Sequence, residues 1–275
     1  MANLTALANA FGSDKGTLGR YPHRYSGLYD LLFYPLREQP ITLVEMGLAR
    51  GGPEAGGPVD RQVVSPSVRM WADYFPLAQI VGFDISDFSH MRMDRFHFVR
   101  GDSGSRGDLM RLAAAAQPDI VIDDASHASY HQQLAFDVMF PVLKPGGLYI
   151  IEDLHWQPRA FERRLPKVPK TGTFLIDFFE RGVYRANPLL SRSTMEAFRA
   201  EVDSFACFPC FAERDFGPKL IVIRKSGGVT GGSSPAAAET DASVPGNDAG
   251  RGASGTLLSR ALKIAFRPRG VWAGS

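Results

Sequence analysis

Two apolar runs that stop abruptly on paired carboxylates constrain this 275-residue chain more than any other feature. Residues 120–122 run into Asp123 and Asp124, and 148–151 run into Glu152 and Asp153. Short continuous runs of Ile, Val and Leu are the pattern of strands buried on both faces of a parallel sheet. Ligands of open α/β sheets bind in the crevice outside the C-terminal ends of such strands. His127 follows Asp124 closely enough to share the same small volume. Four carboxylates and an imidazole at adjacent strand ends raise one another's free energy unless a cation joins them, and a divalent ion is the simplest one.

The rest of the chain supplies the partners of these strands. Residues 41–46 (ITLVEM) predict a first strand ending at Glu45, Met46 and Gly47, where a glycine lets backbone approach a ligand closely. The Gly- and Pro-rich stretch 49–66 is a long loop, a type more often functional than idle. A helix over 67–75 follows, with Ser67 as its N-cap and Val68, Trp71, Ala72 and Phe75 on one face.

Residues 79–84 (QIVGFD) form a second strand ending on Asp84, where an acid suits the vicinal hydroxyls of a ribose. A third strand, 96–100, leads to Gly101 and Asp102, and helices are predicted over 108–116 and 131–143. After Asp153 come Trp156, a basic stretch over 159–170, and a helix carrying Phe174, Leu175, Phe178 and Phe179. Segments 205–211 and 219–224 read as a terminal antiparallel pair. Strands alternating with helices imply right-handed βαβ units and a mainly parallel sheet.

Residues 1–40 admit two readings. One is an amphipathic helix packing Leu28, Leu31, Leu32 and Leu36 on the domain; the other is a lid in which Asp14, Lys15, His23 and Tyr25 cover the crevice. Cys207 and Cys210 (CFPC) are either two small buried apolar side chains or a redox or metal pair, and the absence of a second pair favours the former. Residues 226–256, rich in Gly, Ala and Ser, predict a disordered linker. Residues 257–267 (LLSRALKIAFR) predict a short basic amphipathic helix that docks on an anionic membrane surface, docks on a protein partner, or does neither.

With 31 basic and 29 acidic residues the net charge is +2, which carries no nucleic-acid signature. No run approaches the roughly 20 apolar residues of a membrane span, the N-terminus has no signal-peptide pattern, and two cysteines do not build a disulfide scaffold. The expected location is cytoplasmic, or peripheral at the inner membrane surface through 257–267.

The motifs DKGT, HRYSGLYD, LVEMG, SVRMWADYFP, IVGFDI, RGD, DIVIDDASH and FPVLKPGGLYIIEDL, in this order over residues 11–154, resemble the S-adenosylmethionine-dependent sugar O-methyltransferases typified by the macrocin and mycinamicin enzymes. The resemblance implies an α/β class I methyltransferase fold, Rossmann-like, with a mainly parallel seven-stranded sheet flanked by helices. The expected organisation is an N-terminal lid or helical segment over 1–40, a methyltransferase domain over 41–225, the disordered linker 226–256, and a short basic amphipathic helix and tail over 257–275. The resemblance also implies Mg²⁺-dependent methylation of a sugar hydroxyl, with Asp124, Glu152 and Asp153 as metal ligands and His127 as general base. Glu45, Gly47, Asp84, Asp102 and Asp123 would line the S-adenosylmethionine site. The acceptor would be a saccharide or a glycosylated small molecule, and the assembly a homo-oligomer. The inserted GGPVDRQVVSP departs in length from the macrolide enzymes.

Each residue also has a plainer role. Asp124 alone reads equally as a helix cap, His127 as a satisfied loop histidine, and His131 or His155 could serve as the base. Two rival functions remain: a non-catalytic S-adenosylmethionine- or glycan-binding scaffold, and a non-haem Fe(II) oxygenase, which needs two histidines and one carboxylate rather than an excess of acids.

Overall fold

The computed structural model describes residues 2–19, 22–49, 51–55, 65–209 and 218–227. Residues 1–228 form one compact unit. Cys210, nearly all of the predicted linker and the 257–267 helix lie outside the described residues.

Two N-terminal helices, α1 (Leu4–Phe11) and α2 (Ser26–Phe33), precede strand β1 (Thr42–Met46). Then come α3 (Pro66–Tyr74), β2 (Gln79–Asp84), β3 (Phe96–Arg100), α4 (Arg106–Ala115), β4 (Ile120–Asp123), α5 (Ser129–Val142) and β5 (Leu148–Ile151). A one-turn helix α6 (Arg159–Glu162), α7 (Thr171–Phe179), α8 (Arg192–Ala200), β6 (Val202–Pro209) and β7 (Pro218–Lys225) complete the order. The strands form a seven-stranded sheet in the order β3-β2-β1-β4-β5-β7-β6. Strands β1 to β5 pair in parallel, and β7 pairs antiparallel with both β5 and β6.

Alternate strand residues face opposite sides of a sheet. Val44, Val121 and Tyr149 pack with residues of α4, α5, α7 and α8, whereas Leu43, Ile120, Ile122 and Ile150 pack with residues of α1, α2 and α3. Both faces are therefore apolar, as the continuous runs in β4 and β5 require.

Three local expectations shift. The N-cap of α3 is Ser65, whose side chain accepts from Val68 N, with Pro66 in the first turn; Ser67 turns inward instead and donates to Glu45. Helix α5 starts at Ser129 and α4 at Arg106, each about two residues earlier than their apolar spacing indicates. In α2 the buried face is Ser26, Tyr29 and Phe33, while Leu31 is 75% exposed. Leu28, Leu32 and Leu36 pack partly buried against the same core, as expected, and Tyr29 buries fully because its ring lies against Phe33 and Trp71 while its hydroxyl finds an acid in the core. Aromatic contacts from Tyr25 through Tyr29 and Phe33 to Trp71 and Phe75 bind the N-terminal helices to α3.

Candidate active site

Strand order reverses between β1 and β4, which opens a crevice at their C-terminal ends. Asp124 N bonds Met46 O at 2.9 Å there, and Gly47 N bonds Phe83 O at 2.8 Å. Gly47 has φ 87°, and a Cβ on it would lie 2.1 Å from the Asp124 carbonyl oxygen, so only glycine allows the two strand ends to touch.

A cleft of about 460 Å³ opens on one side of this point. Gly47, Asp84 and Asp102 line it, together with Ser103, Ser126 and His131 among others. Asp84 is held by two amides, Leu48 N on Oδ2 and Ser86 N on Oδ1, both at 2.7 Å. Asp102 Oδ1 accepts from Gly104 N at 2.7 Å. The hydroxyls of Ser126 and Ser103 lie 2.8 and 3.1 Å from His131 Nδ1. Burial, against the opposing pull of Asp102, holds the His131 imidazole below its ordinary value and so disfavours its charged form. Phe161 and Leu165, from the basic stretch, also line the cleft.

Glu45 and Asp123 are buried and do not line this cleft. Burial raises Glu45 to about 7 against the pull of Lys15, and raises Asp123 to about 6. Asp123 Oδ2 has no hydrogen-bond partner among the described residues.

On the other side of Asp124 the carboxylates gather. Asp124, His127 and Asp153 each offer a ligand atom, all within 4.8 Å of one another. The His127 ring stands edge-on to Trp156 at 5.4 Å, and its buried Nδ1 has no partner among the described residues. His127 and Asp153 have φ of 57° and 53°, in the left-handed region that non-glycine residues rarely occupy. The other such residue among those described is Arg24, between His23 and Tyr25, so all three occur in segments that meet here. Backbone strain of this kind persists where surrounding structure enforces it, commonly at functional sites.

The N-terminal segment completes the cluster. Lys15 Nζ, 1% exposed, lies 2.7 Å from Asp124 Oδ2, 2.9 Å from Glu152 Oε1 and 3.7 Å from Glu45 Oε1. Tyr29 OH donates to Glu152 Oε1 at 2.6 Å. Tyr25 OH donates to Asp153, which His23 Nδ1 approaches at 3.4 Å. Burial opposes the charge on Lys15, but Asp124 and Glu152 outweigh it and raise its pKa. Burial raises both Asp124 and Glu152; it acts the same way on Asp153, where His23 and His127 prevail and hold the carboxyl below its usual range. The oxygens of Asp124 and Asp153, with Glu152 adjoining, are a hard donor set that fits a divalent cation, and the unpartnered His127 nitrogen stands beside it. Glu152 keeps lone-pair capacity beyond its bonds to Lys15 and Tyr29, because an ionised carboxylate has about four acceptor sites.

Sequence reasoning missed Tyr29, the inward turn of Ser67 and the Ser126–His131–Ser103 group. The spacing of Tyr25, Tyr29 and Phe33 at four-residue intervals was the available signal for the first.

The strand order, the antiparallel β7 and the crevice at the switch point define the fold of the class I methyltransferases. A solved structure of MycE methyltransferase from the mycinamycin biosynthetic pathway, in complex with Mg and SAH, matches it with a TM-score of 0.61 and 26% identity, over 82% of this chain and 54% of that one. In sequence the chain resembles the sugar O-methyltransferases. It is 43% identical over 155 residues to the 8-demethyl-8-alpha-L-rhamnosyl tetracenomycin-C 2'-O-methyltransferase of Streptomyces olivaceus, covering 55% of this chain and 37% of that protein. It is 41% identical over 136 residues to the demethylmacrocin O-methyltransferase of Streptomyces fradiae, covering 48% and 32%. The chain thus spans only about a third of the length of the curated relatives it matches. No family model matches it.

Proposed function

We propose that this chain transfers a methyl group from S-adenosylmethionine to a hydroxyl of a sugar carried by a glycosylated small molecule, with Mg²⁺ at the carboxylate cluster and His127 as general base. The observation that carries this reading is the convergence of Asp124, His127 and Asp153 within 4.8 Å, beside the cleft that Gly47, Asp84 and Asp102 line. The relatives named for methylation of a rhamnosyl tetracenomycin and of demethylmacrocin support the acceptor class, and the MycE complex with Mg and SAH supports both cofactors.

Asp84, fixed by two amides, presents its remaining lone pairs to the ribose hydroxyls, and Asp102 and Gly47 shape the same wall. Glu45 and Asp123 support that wall from behind. Asp124, Glu152 and Asp153 would hold Mg²⁺, which when bound supplies a Lewis acid that makes an acceptor hydroxyl easier to deprotonate. His127 takes the hydroxyl proton on an imidazole nitrogen. The oxygen bonds the methyl carbon as the carbon–sulfur bond breaks, leaving a methyl ether, S-adenosylhomocysteine and an imidazolium. Trp156 against the His127 ring limits its rotation, and holding oxygen and methyl carbon in line supplies much of the acceleration. A homo-oligomer is part of the same reading.

The deciding experiment incubates the full chain with methyl-labelled S-adenosylmethionine and rhamnosylated or macrolide acceptors, with Mg²⁺ or EDTA. Label in the sugar only with Mg²⁺ is the expected result. Calorimetry that finds no S-adenosylhomocysteine binding in either buffer would sink the methyltransferase reading.

A further inference from the structure

Lys15 is the residue whose placement the proposed chemistry leaves unexplained. It lies more than a hundred positions in sequence from Asp124 and Glu152, yet it is fully buried against them. Burying an ammonium is costly unless it is paired and hydrogen-bonded, so its position is specified by Asp124 and Glu152 rather than by chance. The backbone around it is equally specified. Ser26 N bonds Lys15 O at 2.8 Å, Arg24 N bonds Gly16 O at 3.0 Å, and His23 N bonds Asp14 O at 2.6 Å. These bonds tie Lys15 to the strained turn that aims His23 and Tyr25 at Asp153.

We infer that Lys15 is a positioning residue of the metal site: its ammonium bridges Asp124 Oδ2 and Glu152 and thereby fixes how the carboxylates face a divalent ion. The geometry separates two sides of the cluster. Lys15 sits on the inner side with Glu45 and Glu152, both fully buried, while Asp124, at the boundary, is also in the group with His127 and Asp153. A lysine bound to one oxygen of Asp124 restrains the rotation of that carboxylate, and Tyr29 with Lys15 does the same for Glu152. The N-terminal segment is thereby part of the metal-binding apparatus, held in place in the metal-loaded protein as well.

This inference rests on the metal site proposed above, and its test separates the two. Mn²⁺ binding to the full chain is measured by electron paramagnetic resonance for wild type and Lys15→Met, alongside S-adenosylhomocysteine binding in EDTA. The expected result is an Mn²⁺ affinity reduced more than tenfold in the variant with the EDTA measurement unchanged. Equal or tighter Mn²⁺ binding by the variant overturns the inference and leaves Lys15 a mere counter-charge or a competitor for the site. A wild type that takes up no Mn²⁺ overturns the metal site itself, and the role of Lys15 with it. Should Lys15→Met fail to fold, the wild-type ammonium resonance decides by ¹⁵N NMR. A slowly exchanging Lys15 signal that persists on saturation with diamagnetic Mg²⁺ supports the inference, and its loss to solvent exchange overturns it.

Discussion

Asp124 belongs to two charge environments at once, and that makes it the most informative residue to change. It bonds Lys15 on one side and shares the other with His127 and Asp153. Asp124→Ala should abolish Mg²⁺-dependent turnover while S-adenosylhomocysteine still binds in EDTA; retained activity that requires Mg²⁺ would sink its assignment as ligand. His127→Gln should instead keep metal affinity and lower kcat by about 10² to 10⁴, the usual contribution of a general base, which steady-state kinetics with a calorimetric metal titration would show. His131 gives a pH effect of defined sign. Burial depresses its folded-state pKa, so the unfolded chain gains a proton near pH ~6.5 that the folded chain refuses. Stability from this group is present above that pH and lost as pH falls through it to the lower folded value. Denaturant titrations from pH 7.5 to 5 should show the decline, and His131→Gln should flatten it.

Secondary structure places these side chains through its ends rather than its bodies. Asp123, Asp124, Glu152 and Asp153 are at the ends of β4 and β5, Gly47 follows β1, and Asp84 ends β2. The pairing of β1 with β4 brings Gly47 against Asp124, where any Cβ collides with backbone that cannot give way. Gly47→Ala combines that clash with a positive φ, and should cost several kcal/mol, of the order of 3 or more, together with S-adenosylhomocysteine affinity. A variant with wild-type melting temperature and affinity would show that the strand ends are not in contact as described. The strands, their carboxylate endings and the antiparallel pair were legible because the apolar runs are short, continuous and bounded. Helix starts were less so: Ser65, Ser105 and the turn before Ser129 lie ahead of the apolar periodicity that reveals a helix. The apolar face over 28–36 was legible in part: Leu28, Leu32 and Leu36 pack against the core as expected, Leu31 is exposed, and the full burial of Tyr29 depends on the acid its hydroxyl reaches.

At the scale of the molecule, the sheet separates two cores, and the N-terminal helices cap the face that includes Trp71 and Ile150. Among the described residues no helix is long and apolar enough to cross a membrane. A cation joining Asp124 and Asp153 would couple the N-terminal segment to the sheet, because Lys15, His23 and Tyr25 contact the same acids. Mg²⁺ at 100 times its Kd should therefore raise stability by about 2.7 kcal/mol and Tm by roughly 5 °C or more, reversibly with EDTA. A thermal scan indifferent to Mg²⁺ would argue against a metal site bound only in the folded state. The sequence alone determined the parallel strands and the acids at their ends, because burial on both faces and abrupt polarity are local properties of the chain. It also marked the cleft residues Gly47, Asp84 and Asp102 as candidates through their places at strand ends. Which acids face which cation was decided only by the tertiary structure. Lys15 meets Glu152 across 137 positions, and no local pattern encodes a contact whose energy depends on removing both charges from water together.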